Sequence, residues 1–177
     1  MRCFLAVDLP AETRERLAAV QAEAKKLGLV ATWPGDDEMH ATLAFYGWLD
    51  GNAVRKKIEE LSTVRFKPFQ ARVRGVGFFP SASRPRVFWA AIQGLEGLQA
   101  EAAKATGYDE GRPFHGHVTL CRLKAAANAD KLRELAEKIA DKDFGAFTVN
   151  EFVIKESKLS PKGPAYYPIQ KFTASLP

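Results

Sequence analysis

Phe114-His115-Gly116-His117-Val118-Thr119-Leu120-Cys121-Arg122 is the stretch from which the fold is read, together with an earlier echo, Met39-His40-Ala41-Thr42-Leu43-Ala44-Phe45. Each contains His-x-Thr-Leu, and the two histidines stand 77 positions apart. In extended strands, successive side chains point to opposite faces. His117 and Thr119 then share a face opposite Val118 and Leu120, and His40 and Thr42 share one opposite Ala41, Leu43 and Phe45. Each strand would bury an apolar side and present an imidazole and a hydroxyl, about 7 Å apart, on the other. The chain has three histidines in all, so two of the three fall in one repeated pattern. That repetition is the main functional signal.

Outward from the motifs, residues 2–8 read as a strand, and Pro10 suits the start of a helix. Leu17, Val20, Ala24 and Leu27 mark one helical face, which ends at Gly28. A short strand over 30–33 and a turn at Pro34-Gly35-Asp36-Asp37 lead into the first motif strand, over 39–46. Gly47 to Asn52 reads as a loop. Val54, Ile58 and Leu61 define a second helix, with Asp50 or Asn52 as its cap. A strand over 66–76 is followed by a loop containing Gly75, Gly77 and Pro80-Ser81-Ala82-Ser83, then a strand over 86–92. Leu95, Leu98 and Ala102 give a third helix, closing near Gly107, and Leu132, Leu135 and Ile139 a fourth. Phe147 to Lys158 and Tyr166 to Phe172 read as a terminal hairpin turning at Ser160-Pro161-Lys162-Gly163-Pro164. Several strands follow one another without a helix between them, which favours α+β with antiparallel or mixed sheets over a doubly wound parallel sheet. The halves align loosely as strand, helix, motif strand, helix, as a duplication would leave them.

At 177 residues the chain can bury a sizeable core and is read as one domain over 1–177. Its 46% apolar and 27% charged content is ordinary for a globular protein. No apolar run approaches a membrane span, and the apolar stretch after Met1 is too short for a signal peptide. Cys3 and Cys121 lie in strand-like apolar surroundings and are expected to be buried free thiols. A cytosolic monomer is the expectation. The net charge of +5 suits a polyanionic partner without requiring one.

Two imidazoles facing one cleft suit chemistry in which one group gains a proton while another loses one, because histidine titrates near neutrality. Paired histidine–hydroxyl units flanking a phosphodiester would form a phosphoryl-transfer site that needs no metal. One histidine would activate a nucleophile, the other would protonate the leaving oxygen, and Thr42 and Thr119 would hold non-bridging oxygens. Arg122 could add charge against the phosphate or stack on a base. Strict alternation turns Arg122 away from His117, so that role requires a strand end or a bulge. His115 and His117 have a spacing seen in metal sites, but no nearby cluster completes a zinc set, and no metal or cofactor is expected. His115 is read as a rim residue. Arg65-Phe66-Lys67, Arg72-Val73-Arg74 and Arg84-Pro85-Arg86 could form a basic track or an ordinary solvated face. Of Trp33, Phe45, Tyr46, Phe78, Phe79 and Trp89, most are expected in the core and at most one or two against a base.

These residues resemble the 2H phosphoesterase superfamily, specifically its LigT-like branch of RNA 2′,3′-cyclic phosphodiesterases. The resemblance extends from Arg2-Cys3-Phe4-Leu5-Ala6-Val7-Asp8-Leu9-Pro10 through both histidine motifs and Arg84-Pro85-Arg86-Val87-Phe88-Trp89. It continues to the ending Glu156-Ser157-Lys158-Leu159-Ser160-Pro161-Lys162-Gly163-Pro164-Ala165-Tyr166-Tyr167. It implies a bilobal α+β fold, two antiparallel or mixed sheets flanked by helices around a central cleft, each lobe supplying one motif. It also implies metal-independent hydrolysis of RNA-terminal or nucleoside 2′,3′-cyclic phosphate to a 2′-phosphomonoester. By the resemblance, His40 is the proton donor, His117 the acceptor, and Thr42, Thr119 and Arg122 bind substrate. Ala41 stands where a larger aliphatic is usual, and Gly35-Asp36-Asp37-Glu38 varies the loop before the first motif. Rival readings are a 2′–5′ RNA ligase or small cyclic-nucleotide phosphodiesterase using the same site, and a non-catalytic module that binds RNA ends.

Overall fold

The structure, a computed structural model, describes residues 1–161 and 163–175. Its strands and helices are β1 (Arg2–Asp8), α1 (Ala11–Lys25), β2 (Ala31–Thr32), β3 (His40–Trp48), α2 (Gly51–Leu61), β4 (Phe69–Phe79) and β5 (Val87–Gln93). They continue with α3 (Glu96–Thr106), β6 (His117–Leu123), α4 (Ala129–Lys138), β7 (Asp143–Val149), β8 (Glu151–Ser160) and β9 (Gly163–Thr173). Local chemistry sets several boundaries. Pro10 sits just before α1, and the Arg14 N–H reaches its carbonyl at 3.1 Å. Asp50 caps α2 by accepting from the Ala53 N–H at 2.8 Å, a contact worth about 1 kcal/mol. Lys162 of the expected terminal turn lies outside the described residues.

The strands run in the order β7-β4-β5-β6-β3-β1-β8-β9, with β2 added beside β6, and every pairing among the described residues is antiparallel. The two expected sheets are the two halves of this order. They meet where the motif strands β3 and β6 touch, through the single pair Ala41–Val118. One residue, Asn150, separates β7 at one edge from β8, which lies beside β1 in the other half. A one-residue link keeps Val149 and Glu151 within about 7 Å, so the sheet must curl into a half-barrel. One hydrophobic core fills the helical side, with Leu5, Leu17, Phe88, Leu120, Phe144 and Phe152 fully buried.

The two halves exchange parts. Strand β1, helix α1 and motif strand β3 are matched by β5, α3 and β6, and in each case the motif strand pairs with the first strand of its own series. Helix α1 nevertheless packs against β6 and β7 of the other half, and α3 against β3. Strand β4 pairs with β5, and β8 with β1.

Three sequence expectations change. Gly75 and Gly77 lie inside β4 rather than in a loop. A Cβ on Gly77 would stand 2.4 Å from the Trp89 ring, so the glycine makes room for an indole within the sheet. The stretch Phe147 to Lys158 is two strands on different halves, split at Asn150. The expected loop from Gly47 begins later, because β3 runs on to Trp48.

Candidate active site

The motif strands do not alternate strictly, and that irregularity builds the site. In the pairing of β5 with β6, Trp89 faces Thr119 and Phe88 faces Cys121, which leaves Leu120 as an extra residue. Leu120 and Cys121 are consecutively buried, and Arg122 turns back to the open face. The same happens in β3. Ala6 faces Thr42 and Leu5 faces Ala44, so Leu43 is extra, and Leu43 and Ala44 are consecutively buried. These are β-bulges, each shifting the parity of the residues beyond it. Arg122 therefore shares the face of His117 and Thr119, meeting the condition that alternation alone did not. Phe45 is the correction: it was expected opposite His40, and the bulge puts it on the same open face, 43% exposed.

At each bulge a glutamine from the other half donates to the carbonyl of the extra residue. Gln21, buried on α1, donates its Nε2–H to Leu120 O at 2.9 Å and to Pro34 O at 3.0 Å. Gln99 on α3 makes the corresponding, longer contact to Leu43 O at 3.5 Å. Sequence reasoning missed both. The available signal was a glutamine at a core-facing position of each helix.

The histidines are fixed through their own strands. Nδ1 of His40 lies 2.7 Å from Glu38 O, and Nδ1 of His117 lies 2.8 Å from His115 O. A carbonyl can only accept, so Nδ1 carries the hydrogen in both rings and Nε2 is the nitrogen left for chemistry. Extending the Ala41–Val118 register places His40 across from Thr119 and Thr42 across from His117. Each imidazole thus faces the hydroxyl of the other motif. Gly116, just before β6, lies tight against β5, where a Cβ would stand 2.3 Å from Ile92 O. Aromatic rings hold both imidazoles: Phe4 and Tyr166 lie 4.9 and 5.0 Å from His40, and Phe79 lies 4.8 Å from His117.

Burial lowers the pKa of His40 to about 4, with Lys155 and His117 adding positive charge, against the opposing pull of the Glu38 carbonyl and Asp8. Burial also lowers that of His117, aided by His115 and Arg122 and opposed by the His115 carbonyl and Glu110. Both rings are therefore neutral at pH 7 in the free protein. The consequence for stability has a definite sign. Between about pH 6.5 and 4 the unfolded chain binds a proton at His40 that the folded protein refuses. Stability is complete above that window and falls through it, by on the order of 3 kcal/mol. Urea unfolding across that range should show the slope, and His40→Gln should flatten it.

A cleft of about 550 Å³ runs along these groups, lined by His40, Thr42, His117, Thr119 and Arg122, and closed by Trp33 and Tyr166. Arg122 is exposed and has no ion pair among the described residues. All five residues singled out from the sequence thus converge. Tyr166 was not singled out, although it lies in the terminal hairpin whose resemblance was noted. A smaller cavity, about 260 Å³, adjoins the cleft through Thr42 and His117, and Phe45, Phe79 and His115 line it. His115 is an exposed rim residue with its ring 4.8 Å from that of Trp89. The basic stretches line neither cavity: Arg72 pairs with Asp143, Arg74 donates to Asp141 O, and Arg65 to Ser62 O. Phe78 stacks on Phe88, and Tyr46 packs against Tyr108. Cys3 and Cys121 are buried free thiols, the latter pushed up to about 12 by burial. Among the described residues, no three His, Cys, Asp or Glu side chains converge as a metal set would, and no helix is long and apolar enough to cross a membrane.

Two His-x-Thr strands meeting at one seam of a curled antiparallel sheet are the arrangement expected of a two-histidine phosphoesterase. The chain belongs to the LigT-like phosphoesterase family, whose sequence profile it matches over residues 7–89 and again over 90–166. Each match begins within the first strand of one series, in line with the repeated architecture. An RNA 2′,3′-cyclic phosphodiesterase of Archaeoglobus fulgidus is 31% identical over 97% of this chain and 99% of its own length. One of Thermotoga maritima is 32% identical over 94% and 91%. The crystal structure of TT0787 of Thermus thermophilus superposes with a TM-score of 0.79 at 30% identity, covering 98% of this chain and 97% of that one.

Proposed function

We propose that the protein hydrolyses 2′,3′-cyclic phosphates, at RNA ends or on nucleosides, to 2′-phosphomonoesters, without a metal. The observation that carries this is the pair of imidazoles, each with Nδ1 tied to a carbonyl, on a cleft shared with two threonines and an arginine. The naming of full-length relatives as RNA 2′,3′-cyclic phosphodiesterases supports the substrate.

In this reading, Nε2 of His117 takes a proton from water as its oxygen bonds to phosphorus. The bond from phosphorus to O3′ breaks, and His40 delivers its Nε2 proton to O3′, leaving a free 3′-hydroxyl and a 2′-phosphate. Thr42, Thr119 and Arg122 bind the non-bridging oxygens, where charge grows during attack. His40 must be protonated to serve as the acid, whereas it is neutral at pH 7 in the empty cleft. A bound phosphate anion raises the His40 pKa toward that requirement, since a nearby negative charge favours the imidazolium.

Incubation with a 2′,3′-cyclic mononucleotide in the presence of EDTA is the test. The expected product is the 2′-monophosphate at an undiminished rate. Arrest by chelator would overturn metal independence, release of the 3′-monophosphate would overturn the leaving-group assignment, and an unchanged substrate would leave a binding module.

A further inference from the structure

We propose that the open face of β3 beyond Thr42 is a track for the single-stranded RNA that precedes the cyclic end, formed by Phe45, Trp48 and Arg2. It rests on the function read above and adds where a polymeric substrate lies. The Leu43 bulge brings Phe45 to the face of His40 and Thr42, and the pairing of Trp48 with Arg2 continues that face to the strand end. Arg2 shares a face with Phe4 and Asp8 on the regular strand β1, and the Phe4 ring touches His40. These residues therefore form one file leading away from the imidazoles.

Their exposure and charge suit RNA. Trp48 is 78% exposed, an uncommon state for so large an apolar side chain. The Arg2 guanidinium lies 4.9 Å from the Phe45 ring centre and has no ion pair among the described residues. A cation beside flat aromatic faces, continuous with an anion-binding cleft, is the combination that stacks bases while attracting a phosphodiester backbone. The net charge of +5 favours the same partner. Thr42 faces Ala6 and Trp48 faces Arg2, four residues along β1, so the file covers about 13 Å, enough for nucleotides beyond the one seated at the histidines.

The test compares two substrates, a 2′,3′-cyclic mononucleotide and a short oligoribonucleotide ending in a 2′,3′-cyclic phosphate. Trp48→Ala and Arg2→Ala should each lower kcat/KM for the oligonucleotide about tenfold, mainly through KM, and leave the mononucleotide unchanged. Trp48→Phe should restore most of the loss. Equal effects on both substrates, or none on the oligonucleotide, would overturn the track. Fluorescence anisotropy of a labelled oligonucleotide, measured on the same variants, reads binding independently of turnover. If the wild-type chain turned over neither substrate, the catalytic reading would fail, and binding weakened by Trp48→Ala would still uphold the track. Binding unaffected by that change would overturn it and assign the exposed indole to another partner.

Discussion

Replacing His117 by alanine is expected to lower kcat/KM for a 2′,3′-cyclic nucleotide by about 10²–10⁴-fold, and His40→Ala by a similar factor. The two rings act on one turnover, one accepting a proton and the other giving one. The double variant should therefore fall far short of the product of the single losses. The pH profiles assign the roles. The wild-type curve should be bell-shaped, its acid limb reporting the group that must lose a proton and its alkaline limb the group that must keep one. His117→Ala should remove the acid limb and His40→Ala the alkaline limb, and the reverse pattern would exchange donor and acceptor. Both variants should fold, because the rings line an open cleft rather than the core.

Gln21→Leu is expected to be costly although Gln21 lies outside the cleft. The substitution keeps the volume roughly constant and removes two hydrogen bonds, to Leu120 O and Pro34 O. A buried acceptor left without a donor costs about 1–3 kcal/mol, and Leu120 O is the buried one of the two, so the stability loss should fall near 1–3 kcal/mol in urea unfolding. Relaxation of the Leu120 bulge would also shift Thr119 and Arg122 relative to His117, and misplacement by about 1 Å can cost 10²-fold in rate. Gln21→Glu at low pH, where the carboxyl carries a hydrogen to donate, should recover part of both losses. A stable Gln21→Leu protein with unchanged kcat would show that the bulge holds without the glutamine.

The sequence was most legible where a pattern recurred. His40-Ala41-Thr42 and His117-Val118-Thr119 carry their face assignment in the period of a strand, and the structure brings both pairs to one cleft. Three residues on, the reading failed at Phe45, because a bulge changes parity and depends on what the partner strand offers. The adjacent apolar pairs Leu43-Ala44 and Leu120-Cys121 were the local trace, since a strand with one buried face does not normally bury two neighbours. Gly75 and Gly77 misled because glycine commonly marks loops, whereas the Trp89 ring that requires Gly77 comes from the next strand. The division at Asn150 had no signal of its own. The polar pair Asn150-Glu151 between two apolar runs reads as part of one strand, and the long-range partners, β4 for one run and β1 for the other, separate them.

The crossed connections have a consequence for the symmetry of the site. Two unfused copies wired in this way would trade strands and helices across a twofold axis and form an obligatory symmetric dimer with identical half-sites. Within one polypeptide the halves do not have to match. The position three beyond each threonine illustrates that freedom, with Phe45 on one side and Arg122 on the other, an aromatic face opposite a cation where symmetry would have forced two of a kind.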